Sequence, residues 1–80
     1  MIELYLSLKS QTITQNMNKL KTKTVIKMLE DDDWYLARQK GSHRQFKHPT
    51  KNGTVTVNGK SNETQTQFLL NSIWKQAGWK

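Results

Sequence analysis

Eighty residues with 34% hydrophobic residues, 24% charged residues, a net charge of +7 and no cysteine describe one small folded domain with a thin core. This composition excludes disulfides and thiolate metal sites, and two histidines with scattered carboxylates make no spaced zinc or calcium cluster. The basic excess favours a polyanionic partner; no apolar run nears the ~20 residues of a bilayer span and no secretory leader pattern opens the chain, so the cytoplasm is the expected compartment.

Ile2, Leu4, Leu6 and Leu8 alternate with Glu3, Tyr5, Ser7 and Lys9, which is the period of a half-buried strand. Ser10 to Asn18 is polar and without periodicity, and reads as a linker. Residues 1–18 therefore form an N-terminal extension ahead of a domain over residues 19–80. Two readings of the extension stand: an edge strand or dimer contact, or an upstream addition to a chain that starts at Met17. Thr22 is the expected N-cap of a first helix, with Val25, Met28 and Leu29 on one face and Ile26 at its margin. That helix ends in Glu30-Asp31-Asp32-Asp33, against the macrodipole. The acids are either a solvated helix end or a device that repels a polyanion from this side.

Three strands are expected next, over 34–39, 42–47 and 54–57, with turns at Lys40-Gly41 and over 48–53. A loop over 58–62 leads to a helix from about Thr64 to Ala77, begun by one of two capping boxes, Asn62 with Gln65 or Thr64 with Gln67. Leu69, Leu70, Ile73 and Ala77 form its inward stripe, and Gly78 is its natural terminator. The expected fold is α+β, ordered α-β-β-β-α, with a three-stranded antiparallel sheet, both helices on one face and the other face open.

The charge is concentrated. Between Trp34 and Asn62 lie Arg38, Lys40, Arg44, Lys47, Lys51 and Lys60, with no acid among them, and they bracket His43. Strand alternation places Phe46 toward the helices, Arg44 on the same parity near a strand end or edge, and His43, Gln45 and Lys47 on the open face. Thr54 and Thr56 share that face if Val55 and Val57 face the core. Trp34 and Trp74 belong to the core or its margin, His48 to a turn beside Pro49, and Trp79 is the exposed aromatic suited to a partner contact.

The runs Lys21-Thr22-Lys23-Thr24-Val25-Ile26-Lys27-Met28-Leu29, Trp34 to Pro49 with Gly41-Ser42-His43-Arg44-Gln45-Phe46 at its centre, Gly53 to Val57 and Ser72 to Gly78 resemble the HicA toxin family over about residues 21–78. The resemblance implies a double-stranded-RNA-binding-like fold, a toxin of a type II toxin–antitoxin system that cleaves mRNA, and a HicB-like antitoxin partner. It places the catalytic histidine on His43. Metal-free RNA cleavage needs a base for the 2′-hydroxyl and an acid for the leaving oxygen, and an imidazole can serve as either. Cations must stabilise the phosphate, and Arg38, Lys40, Ser42, Arg44, Lys47 and Lys51 are the expected RNA contacts, with no cofactor. Ser42 has no relay beside it and is not a nucleophile. Three positions depart from the pattern: Asp33 stands where the family often has glycine, Arg44 where many members have a second histidine, and Asn58-Gly59-Lys60-Ser61 where a Pro-His-containing basic loop is common. The competing readings are a non-catalytic RNA-binding module and a decayed toxin that mainly binds its antitoxin.

Overall fold

The computed structural model describes residues 19–79, so the strand expected near the N-terminus and its linker lie outside the described residues. In chain order the elements are β1 (Lys19–Lys21), α1 (Thr22–Asp31), β2 (Tyr35–Lys40), β3 (His43–Lys47), β4 (Val55–Asn58), β5 (Thr64–Thr66) and α2 (Gln67–Gln76). The strands β2, β3 and β4 form an antiparallel meander in that order, and β1 pairs with β5 in a separate two-stranded ribbon. The fold is α+β, as expected. Val25 and Leu29 of α1 and Leu70, Ile73 and Trp74 of α2 share one buried cluster with Trp34, Phe46, Val55, Val57 and Ala77. Phe46, Val55 and Val57 come from one side of the sheet, so both helices cover that side and leave the other to solvent.

Both helices end in the same way. After α1, the amide of Asp33 donates to Glu30 and that of Trp34 to Leu29. After α2, the amide of Gly78 donates to Lys75 and that of Trp79 to Trp74. These are paired Schellman motifs, each with a residue at positive φ followed by a tryptophan. Gly78 takes φ 78° as expected, and Asp33 takes φ 71°. The two indoles then converge: Nε1 of Trp34 and Nε1 of Trp79 both donate to Oδ2 of Asp32, at 3.1 and 2.9 Å. Lys51 Nζ donates to the same oxygen at 2.7 Å. Burial raises the pKa of Asp32, but the hydrogen bonds from Lys51, Trp79 and Trp34 and the charge of Lys51 outweigh it and hold the carboxyl below its ordinary range. Trp79, expected as an exposed aromatic, is half-buried against Trp74 with ring centroids 5.2 Å apart.

The helix starts differ from expectation. Thr22 is the first residue of α1 and not its cap; it is buried and its hydroxyl donates to the Glu63 carbonyl. The first amides of α1 are satisfied by loop carbonyls, Thr22 by Glu63 and Lys23 by Ser61. Neither expected capping box forms, because residues 64–66 pair with β1 as a strand and α2 begins only at Gln67. Gln65 turns inward instead, its Nε2 donating to Thr22 Oγ1 and to the Asn58 carbonyl. Leu69, assigned to the inward stripe, is 44% exposed. On the outer edge of β4, Gln76 Oε1 accepts from the Thr56 amide at 2.9 Å and its Nε2 holds Ser72. That edge is therefore occupied by side chains of β5 and α2.

Candidate nucleic-acid interface

His43 owes its position to a tight hairpin. Lys40 and His43 face each other across Gly41-Ser42. Gly41 takes φ 58° while Ser42 stays at negative φ, the arrangement of a type II′ turn with glycine first. Gln39 Nε2 donates to the Gly41 carbonyl and fixes the turn from its other side. His43 is thus the first residue of β3, exposed, with Lys40 opposite on one side and Asn58 on the other.

Register then decides which cations join it. Between Leu36 and Arg38 the β2–β3 pairing slips by one residue, a bulge with Ala37 as the extra residue. Leu36 pairs with Phe46, on the helix side, whereas Arg38 pairs with Gln45 and Lys40 with His43, on the open side. Uninterrupted alternation would have left Arg38 and Lys40 on the side of Leu36. The bulge moves both to the face of His43. Arg38, Lys40, His43, Gln45 and Thr56 line one depression of about 500 Å³. The open face is a small grid of cross-strand rows: Lys40–His43–Asn58, Arg38–Gln45–Thr56, and Tyr35–Lys47. No carboxylate stands in these rows.

Three expected contacts lie elsewhere. Arg44 has the parity of Phe46, is only 9% exposed, and its Nη1 donates to the carbonyls of Gly59 at 2.6 Å and Ser42 at 3.4 Å. Its side chain braces the hairpin turn and the loop after β4 from beneath and is not on the open face. Ser42 is half-buried, and its carbonyl also accepts from the Gly59 amide. Lys51 is held by Asp32 beyond the far end of β3. Lys47 is exposed and shares the face of His43, two rows along. His48 is the turn residue expected: its Nδ1 accepts from the amides of Thr50 and Lys51, so Nε2 carries the proton and donates to the Asp32 carbonyl at 2.7 Å. Its ring meets Trp34 edge to face at 5.1 Å.

The acids Glu30 to Asp33 collect at the opposite end of the sheet from His43, since β2 begins just after Asp33 and β3 ends next to His48, while Glu63 lies beside Gly59 in the loop after β4. The cross-strand rows of the open face therefore carry one exposed imidazole, guanidinium and ammonium groups, and uncharged hydrogen-bonding side chains, with no carboxylate among them. Such a surface suits a chain of phosphates. No helix among the described residues is long and apolar enough to cross a membrane. Over residues 22–79 the chain matches the family described as HicA toxin of bacterial toxin-antitoxin. A search of curated proteins finds no match.

Proposed function

Since the chain belongs to the HicA toxin family of bacterial toxin–antitoxin systems, we propose that it is an endoribonuclease that cleaves mRNA, with His43 as general acid–base and a HicB-like antitoxin to restrain it. The observation that carries this reading is the gathering of His43, Arg38 and Lys40 in one depression on a face free of carboxylates. His43 takes the proton of a ribose 2′-hydroxyl, and that oxygen attacks the adjacent phosphorus. The bond to the 5′-oxygen breaks, a 2′,3′-cyclic phosphate remains, and the leaving oxygen takes a proton from the imidazolium or from water. Arg38 and Lys40 stabilise the negative charge on the phosphate oxygens, the term that usually dominates in such sites. The nucleophile belongs to the substrate, so the reaction acts on RNA and spares DNA.

Expression of the parent chain should arrest growth, and His43→Ala should relieve the arrest with an unchanged melting temperature. Purified protein should cleave labelled RNA in the presence of EDTA. Equal toxicity of the two chains would sink the assignment of His43. A second reading has one observation in its favour: with Arg44 turned inward and His48 tied to Asp32, a single imidazole faces the substrate. A non-catalytic RNA-binding module would then bind the same RNA in a salt-dependent way without cutting it.

A further inference from the structure

Tyr35 has no role in the chemistry above, yet it stands on the reactive face. It opens β2, pairs directly with Lys47, and is 52% exposed. Trp34 beside it points the other way into the core, as alternation requires. Of the aromatic residues described, Trp34, Phe46 and Trp74 are buried, Trp79 packs on Trp74, and Phe68 is the second residue of α2 on the helix layer. Tyr35 is the aromatic ring that the open side of the sheet presents.

Its setting points to a nucleobase. An exposed ring beside a lysine offers a stacking plane and a phosphate contact in one place, the combination by which proteins hold single strands. Tyr35 and Lys47 lie two rows from His43, about 13 Å along the strands. That span corresponds to about two to four nucleotides, according to whether the strand is extended or stacked at about 3.4 Å per residue. Between the two ends, Arg38 and Gln45 supply a cation and an amide. Beyond Tyr35 the exposed acids Asp31 and Asp33 repel further phosphates, so the track ends there.

We infer that Tyr35 is a base-stacking residue that holds a nucleotide near the scissile phosphate, and that the substrate is therefore taken as a single strand. The inference rests on the RNA-cleaving function proposed above. A stacked base in a duplex is not available to the ring, so Tyr35 discriminates by strandedness. Its contact is the same before and during the reaction, so its loss raises KM and leaves kcat unchanged.

The test uses the full chain and a fluorescein-labelled single-stranded RNA with 2′-O-methyl groups, which lacks the nucleophile and stays intact. By anisotropy, Tyr35→Ala should weaken binding roughly 5- to 100-fold, while Tyr35→Phe, which keeps the ring, should stay within about twofold. The loss should persist at raised salt, because stacking releases no counterions. Binding of a blunt RNA duplex should change little. With cleavable RNA, Tyr35→Ala should raise KM at constant kcat. Circular dichroism and thermal melts establish that the variants fold. Equal affinities of parent and Tyr35→Ala for the single strand would overturn the inference in favour of a protein contact at this ring. Failure of the parent to bind any RNA would overturn the function itself, and is seen before any variant is made.

Discussion

Asp33 and Asp32 are chain neighbours held by different forces. Asp33 occupies the left-handed region at φ 71° at the end of α1, where an L-side chain is strained and a negative charge opposes the helix dipole. Asp33→Gly removes both penalties and should stabilise the fold by about 1 kcal/mol in urea denaturation, after the added freedom of the unfolded chain is counted. Asp32 accepts three hydrogen bonds on one oxygen. Asp32→Ala should cost about 2 kcal/mol, whereas Asp32→Asn keeps an acceptor, relieves charge at two helix ends, and should cost about 1 kcal/mol or less. The folded pKa of Asp32 lies below its ordinary 3.8. Its contribution is therefore complete above that value and is lost as pH falls through the folded pKa. The acid limb of a stability–pH profile should accordingly be shallower in Asp32→Asn than in the parent. The family resemblance, through the glycine common at this place, marked Asp33 as a position suited to positive φ. The local sequence could not mark Asp32 as a junction, because the partners Lys51 and Trp79 are 19 and 47 residues away.

Among the elements, β3 follows the alternation of its sequence closely. His43, Gln45 and Lys47 are exposed, and Arg44 and Phe46 are buried. Parity gave Arg44 the side of Phe46, but its charge suggested a strand end or edge, and it is buried instead. A buried guanidinium is tolerable here because two carbonyls meet it. Arg44→Ala should destabilise the domain by about 2 kcal/mol, as the hydrogen bonds of a charged donor are lost and the Gly59 carbonyl loses that donor. It should also loosen the turn that carries His43, which amide exchange at Ser42 and His43 would report. Strand β2 was less legible. Trp34 and Leu36 are followed on the same parity by Arg38 and Lys40, an abrupt change from apolar to charged that marks a break in alternation. The bulge at Ala37 is that break. The start of α2 was misjudged because Thr64 and Gln67 fit a capping pattern, and the pairing of residues 64–66 with β1 overrides it.

At the scale of the whole molecule, the +7 charge is distributed by the fold and not only by the sequence. The register puts Arg38, Lys40 and Lys47 on one face, while Asp32 neutralises Lys51 at the far end. Under the proposed function Arg38, Lys40 and Lys47 meet phosphates, which predicts a slope of about −2 for log K against log salt with single-stranded RNA, and Lys47→Ala should reduce its magnitude by about 0.7. The layer order and the exposed face were readable from hydrophobic periodicity, since a thin core leaves few ways to bury Phe46, Val55 and Val57. Lys47 was readable on the face of His43 from the alternation of β3, but the arrival of Arg38 and Lys40 there was not, because one inserted residue in β2 decides it. The occupied edge of β4 bears on a different property. A three-stranded sheet with two bare edges is a template for stacking copies into fibres. Gln76 and Gln65 fill one edge, and the bulge distorts the other. Gln76→Ala should therefore leave an isolated chain folded and yet lower the concentration at which light scattering first rises. A single amide at the end of α2 thus works as a guard against aggregation, remote from the chemistry of the open face.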